Sequence, residues 1–112
     1  MSTIYHLTRA DDWEAARPSG HYTADTLASE GFIHCSTRAQ LLAVAGRFYH
    51  GQTDLVLLAI DTRRLTAELR YEESEPGQWF PHLYGPLNLD AVLAALPFPP
   101  GPDGSFTFPP QI

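Results

Sequence analysis

A chain of 112 residues, 44% hydrophobic and 18% charged, has the size and composition of one globular domain rather than of a disordered segment. A formal net charge of −6, with Arg63-Arg64 the only adjacent basic pair, argues against non-specific nucleic-acid binding while leaving room for a small nucleotide held by local donors. Cys35 is the only cysteine, so no internal disulfide can form. The N-terminus lacks the basic start and apolar core of a signal peptide, and the longest apolar run, Leu55 to Ile60, is too short to span a bilayer. The expected address is the cytoplasm, with no membrane partner and an oligomeric state left open.

In chain order, Thr3 to Thr8 alternates as a strand, and Thr8-Arg9-Ala10-Asp11 has the form of a capping box opening a short helix that stops at Pro18-Ser19-Gly20. His21 to Glu30 is weakly patterned and reads as loop with one helical turn near Leu27. Gly31 to Ser36 reads as the next strand. Thr37-Arg38-Ala39-Gln40 is a second capping box, and the helix it opens carries Leu41, Leu42, Ala45, Phe48 and Tyr49 at helical spacing, with Gly51 beyond its end. Leu55 to Ile60 lacks alternation and so predicts a strand buried on both faces. Asp61 to Leu65 reads as a helical turn and Leu69 to Glu73 as a strand. The proline-bracketed run from Trp79 to Pro86 predicts an edge strand or ordered loop. Asn88 to Leu96 fits either a helix or a turn followed by a strand. Pro99 to Gly104 excludes regular structure, and Phe106-Thr107-Phe108 offers a terminal strand.

One pattern recurs: His6-Leu7-Thr8, His34-Cys35-Ser36 and His82-Leu83-Tyr84 each set a histidine two residues before a hydroxyl. In a strand such a pair projects from one face. The first two segments lead into helices, whose N-terminal N–H groups make an anion site. A face bearing imidazoles, hydroxyls and helix N-termini suits a ligand with phosphates and a ribose. Against that stands the plainer role of Thr8 and Ser36 as helix caps and of the histidines as structural residues. Glu72, in a strand beside Glu73, is the carboxylate placed to orient a ribose hydroxyl or act as general base. Arg47 could reach a pyrophosphate. Phe32, Tyr49 and Gly85 complete the candidate ligand-binding set. No close His or Cys spacing of a zinc site occurs, and Cys35 has the strand parity of a small core residue.

The motifs Gly31-Phe32-Ile33-His34-Cys35-Ser36 and Phe80-Pro81-His82-Leu83-Tyr84-Gly85-Pro86-Leu87, with Ile4-Tyr5-His6, Trp13-Glu14 and Leu55 to Asp61, are long and unusual. In this order they resemble the bacterial and plant proteins gathered as domain-of-unknown-function family 952, over about residues 3 to 98. That family is similar in fold to the ADP-ribosyltransferases. The resemblance implies an α+β fold with a small split, strongly bent β-sheet, two or three short helices, and a cleft for NAD. It implies that His6 meets the nicotinamide ribose and that Gly31 to Ser36, with His34, lines the nicotinamide pocket. The transferases' usual glutamate has no match here; His82 and Tyr84 stand in that region.

The expectation is therefore a domain that binds NAD or a related nucleotide between Gly31–Ser36 and Phe80–Gly85. NAD enters as a substrate, no cofactor is held covalently, and transfer of ADP-ribose is the implied reaction. In that expectation His34, His82, His6 and Glu72 are the catalytic candidates, and Ser36, Phe32, Thr8, Arg47, Tyr84, Gly85 and Tyr49 the ligand-binding ones. Two rivals remain: a catalytically silent nucleotide-binding module, and a metal-dependent hydrolase built on His6, His34 and His82.

Overall fold

The computed structural model describes residues 2–112, and its architecture is mixed α+β with three small antiparallel sheets and three short α-helices. In the first sheet β4 (Leu55–Asp61) lies between β1 (Thr3–Arg9) and β8 (Val92–Pro97). In the second, β6 (Gln78–Tyr84) lies between β3 (Ile33–His34) and β5 (Glu68–Glu75). The third is a two-residue pairing of β2 (His21–Tyr22) with β7 (Leu87–Asn88). Helices α1 (Ala10–Ala16), α2 (Asp25–Glu30) and α3 (Arg38–Phe48) connect them. No helix among the described residues is long and apolar enough to cross a membrane.

The unalternating run Leu55 to Ile60 is the mid-sheet strand that its composition predicts, because both its faces are covered. Leu58 and Ile60 point with Ile4 into one core, where Tyr22, Ile33, Leu83 and Leu87 meet them. Leu55, Leu57 and Ala59 point with Tyr5 and Leu7 into a second core, closed by Leu41 and Ala45 of α3 and by Phe98 and Phe106. The two larger sheets are stitched at one point, where Tyr5 and Ser36 exchange backbone hydrogen bonds of 2.8 and 2.7 Å. Past that stitch the sheets separate, and the gap between them is the cleft described below.

Several expectations change. The Thr8-x-x-Asp11 capping box does not form: Arg9 is the N-cap of α1, with no side-chain cap bond, because the Thr8 hydroxyl turns instead to Tyr22. The second box holds, with the Thr37 N–H donating to Gln40 Oε1 at 3.0 Å. The segment 21–30, read as loop with one helical turn near Leu27, holds that turn as α2 and also contains β2, whose partner β7 lies far along the chain.

The run from Trp79 to Pro86 is no edge: β6 is the central strand of its sheet. Pro81 is tolerated there because N and O of one strand residue point to the same neighbour. Its carbonyl accepts from the Cys35 N–H at 3.0 Å, so the missing donor falls just beyond the two residues of β3. Residues 88–96 resolve as a 3-10 turn, Leu89–Ala91, followed by β8. Phe106 to Phe108 adds no strand; Phe106 stacks instead on Phe98, with ring centroids 5.1 Å apart.

Candidate functional site

The candidate residues divide between two places. Gly31–Ser36 and Phe80–Gly85 do not face each other across a gap. They are hydrogen-bonded neighbours, Ile33 opposite Leu83 and His34 opposite His82, and share a sheet face. The cleft lies on the other side of β3. Its volume is about 800 Å³, within the range of small-molecule sites, and His6, Thr8, Tyr22, Thr26, Ser36 and Tyr49 help to line it.

The floor of this cleft is a continuous hydrogen-bond chain. His6 Nδ1 lies 2.6 Å from the carbonyl oxygen of His34, which can only accept, so Nδ1 carries the proton. Burial pushes the His6 pKa down to about 4, so at neutral pH the ring is uncharged and Nε2 is an acceptor. Tyr22 Oη lies 2.9 Å from that nitrogen. The same Tyr22 hydroxyl lies 3.0 Å from Thr8 Oγ1, which accepts from it, so the phenol stands between His6 and Thr8. These contacts tie Thr8, Tyr22, His6 and the His34 carbonyl into one buried chain.

His6 and Thr8 share a face, as their two-residue spacing predicts, and the link between them is Tyr22. Ser36 is buried on the opposite wall of the cleft. Thr26 Oγ1 is buried there without a hydrogen-bond partner among the described residues, a donor and acceptor left unused. Tyr49 and the exposed Phe48 close the α3 side. The charged lining is Arg9, Asp12 and Asp25, and Arg9 is already paired with Asp54 at 3.1 Å. The cleft is therefore neutral at its floor and acidic at its rim. Cys35 lies in the wall, but burial pushes its thiol up to about 12, which makes it a poor nucleophile.

The second place is the outer face of the β3–β6–β5 sheet. Glu72 Oε1 accepts from the Tyr84 hydroxyl and lies 2.8 Å from His82 Nδ1. Those two bonds, Tyr84 first and His82 second, hold the Glu72 carboxyl below its ordinary range. Phe32 stacks on His82 at 4.1 Å, and Arg70 lies over the Tyr84 ring at 4.4 Å. The His34 side chain also points to this face, where its Nε2 meets Glu30 Oε1 at 3.1 Å in the open. Arg47 joins neither group; it pairs with Glu75 at 2.5 Å. Gly85, at φ +156°, packs its α-carbon side against Ala67.

His6, His34 and His82 do not converge. Both ring nitrogens of His6 are engaged, and no group of three or more His, Cys, Asp or Glu side chains among the described residues could hold a metal ion.

Sequence reasoning missed Tyr22, Thr26 and Ser74. Tyr22 has partners 14 and 16 residues away, which no local pattern reveals. Ser74 had one available signal, its two-residue spacing from Glu72 within a strand, which sets both on one face.

The model of the family described as "Protein of unknown function (DUF952)" matches residues 7–95. The crystal structure of protein CC0527 from Caulobacter crescentus is 33% identical, with 95% of this chain and 94% of that chain covered and a TM-score of 0.87. The solution NMR structure of the same protein is 34% identical over 94% of this chain and 91% of that chain, with a TM-score of 0.82. No curated protein matches the chain.

Proposed function

The chain belongs to the family described as protein of unknown function (DUF952), and from that premise we propose that it is a small-molecule-binding domain of ADP-ribosyltransferase-like type, taking NAD or a related nucleotide in the cleft floored by His6, Tyr22 and Thr8. The observation that carries this reading is the continuous buried hydrogen-bond chain from Thr8 to the His34 carbonyl. Buried polar networks of this kind restrict the rotamers of their members, and this one lies on the cleft floor. Ser36 and Thr26 add hydroxyls whose hydrogen-bonding capacity the protein does not use up.

The charge pattern decides how a nucleotide would lie. A neutral floor and a rim holding Asp12 and Asp25 oppose a diphosphate at depth. The nucleoside end, with ribose hydroxyls and an amide or base, would enter first, while the phosphates stay outside near Arg9.

Binding without turnover is favoured by a second observation: Glu72, the expected general base, stands with His82 on the outer sheet face and does not line the cleft. If ADP-ribose is transferred, His6 is the expected catalytic candidate on the cleft floor, and its role would be to orient a ribose hydroxyl rather than to carry charge.

Calorimetric titration of NAD and ADP-ribose into the protein tests the reading. Saturable binding is expected, about tenfold weaker in Tyr22→Phe, where one hydrogen-bonding oxygen is lost, and unchanged in Glu72→Gln. Absence of binding by both nucleotides refutes the nucleotide reading. Release of free nicotinamide from NAD separates transfer from silent binding.

A further inference from the structure

We propose that Ser74, His82 and Glu72 form a second, independent site, a serine-nucleophile relay that cleaves short-chain neutral carboxylic esters on the outer face of the β3–β6–β5 sheet. Three strand residues meet in sequence: Ser74 Oγ lies 3.4 Å from His82 Nε2, and His82 Nδ1 lies 2.8 Å from Glu72 Oε1. A carboxylate can only accept, so the Nδ1 proton points at Glu72 and Nε2 is left as an acceptor facing the Ser74 hydroxyl. Nucleophile, base and orienting acid are recognised by such geometry and not by order in the chain, and the nucleophile–base distance is commonly loose in an empty site.

The surroundings serve the same arrangement. His82 is 4% exposed, with Phe32 stacked on its ring, so its orientation is fixed and Nε2 is engaged from the Ser74 side. Tyr84 steadies Glu72 through the same oxygen that His82 uses. Ser74 itself is exposed, and it falls at a bulge between Glu73 and Glu75 where it has no partner in β6. Bulges of this kind re-aim side chains beside active sites.

The ligand class follows from space and charge. Glu75, next to Ser74 in the chain, and Phe80, paired with Glu72 across the strands, line a neighbouring groove of about 200 Å³ with Val44 and Phe48, which admits only a short acyl chain. Glu68, Glu72, Glu73 and Glu75 crowd the same strand and repel anionic esters. In the reaction Ser74 Oγ bonds to the ester carbonyl carbon as the ester C–O bond breaks. His82 takes the serine proton and delivers it to the leaving alcohol. Water then splits the acyl–Ser74 bond, releasing the carboxylic acid and returning the proton to Ser74.

The test is labelling with a fluorophosphonate, read by intact mass and peptide mapping, alongside hydrolysis of p-nitrophenyl acetate. A single adduct on Ser74 is expected, absent in Ser74→Ala and formed at least about tenfold more slowly in Glu72→Gln, with ester hydrolysis falling in parallel. Ser74 is exposed, so its alanine variant should fold as the parent does, which a melting curve checks. No adduct, or one that survives in Ser74→Ala, overturns the nucleophile. An adduct on Ser74 without ester cleavage overturns the substrate class.

Discussion

Tyr22 Oη joins β1 to β2, and His6 owes its protonation state to burial beside it. The folded protein holds His6 at about 4, below the ordinary value of 6.5 that the unfolded chain keeps. Between those values the unfolded chain binds the extra proton, so stability is complete above about pH 6.5 and falls as the pH drops toward 4. The full shift corresponds to about 3 kcal/mol. Glu72 and Glu68, both lowered, act in the same direction but below their ordinary value of 4.5, so His6 dominates between about pH 5 and 6.5 among the groups shifted here. Urea unfolding at a series of pH values should show this slope in the parent and lose it in His6→Asn. An unchanged slope in the variant would mean that another group carries the proton. The two-residue spacing in the sequence reveals that His6 and Thr8 share a face, as it does for His82 and Tyr84. It cannot reveal that the first pair is joined by Tyr22 and the second by Glu72, because those contacts are made by chain reversal.

At the level of elements, legibility follows the distance over which each is specified. β4 and α3 are determined by their own residues, an unbroken apolar run and a capped apolar stripe, and both form where the pattern places them. β2 and β7, two residues each, exist only as a pairing of remote segments, so their sequences carry almost no signal, whereas β3, equally short, forms inside the strand read at Gly31 to Ser36. β6 misled for a third reason: its proline is excused by the shortness of β3. The turn from β6 into β7 has its own local constraint. At Gly85, φ is +156°, and a Cβ would sit 2.8 Å from the Cβ of Ala67. Gly85→Ala should destabilise by about 1–3 kcal/mol in chemical denaturation, as overpacking does. Ala67→Gly in the same chain should recover the steric share and leave the backbone share. Full additivity of the two substitutions would show that the contact is not the cause.

Across the whole molecule, β1 and β4 divide two cores, and the first sheet meets the second through one backbone pairing, Tyr5 with Ser36, and the side-chain bond from His6 to the His34 carbonyl, beside which the cleft opens. The cleft floor belongs to the side of β1 that carries Ile4, His6 and Thr8, so its geometry depends on the opposite face of β1 being firmly packed. That packing reaches to the C-terminal residues. Phe106 is 7% exposed, stacks on Phe98 at an interplanar angle of 6°, and has Phe108 and Ile112 beside it against the second core. The Pro/Gly-rich composition correctly excludes regular structure from 99 to 104, but it conceals that the residues beyond are part of the core. Phe106→Ala should therefore cost about 3–5 kcal/mol in urea unfolding, the range of a buried aromatic deletion, although the residue lies outside any strand or helix. Nucleotide binding in the cleft should weaken with it, since Tyr5 and Leu7 of β1 lean on the same core as Phe106. A Phe106→Ala protein that unfolds at the parent's urea midpoint would show that the tail merely rests on the surface, and the cleft would then depend on the first core alone.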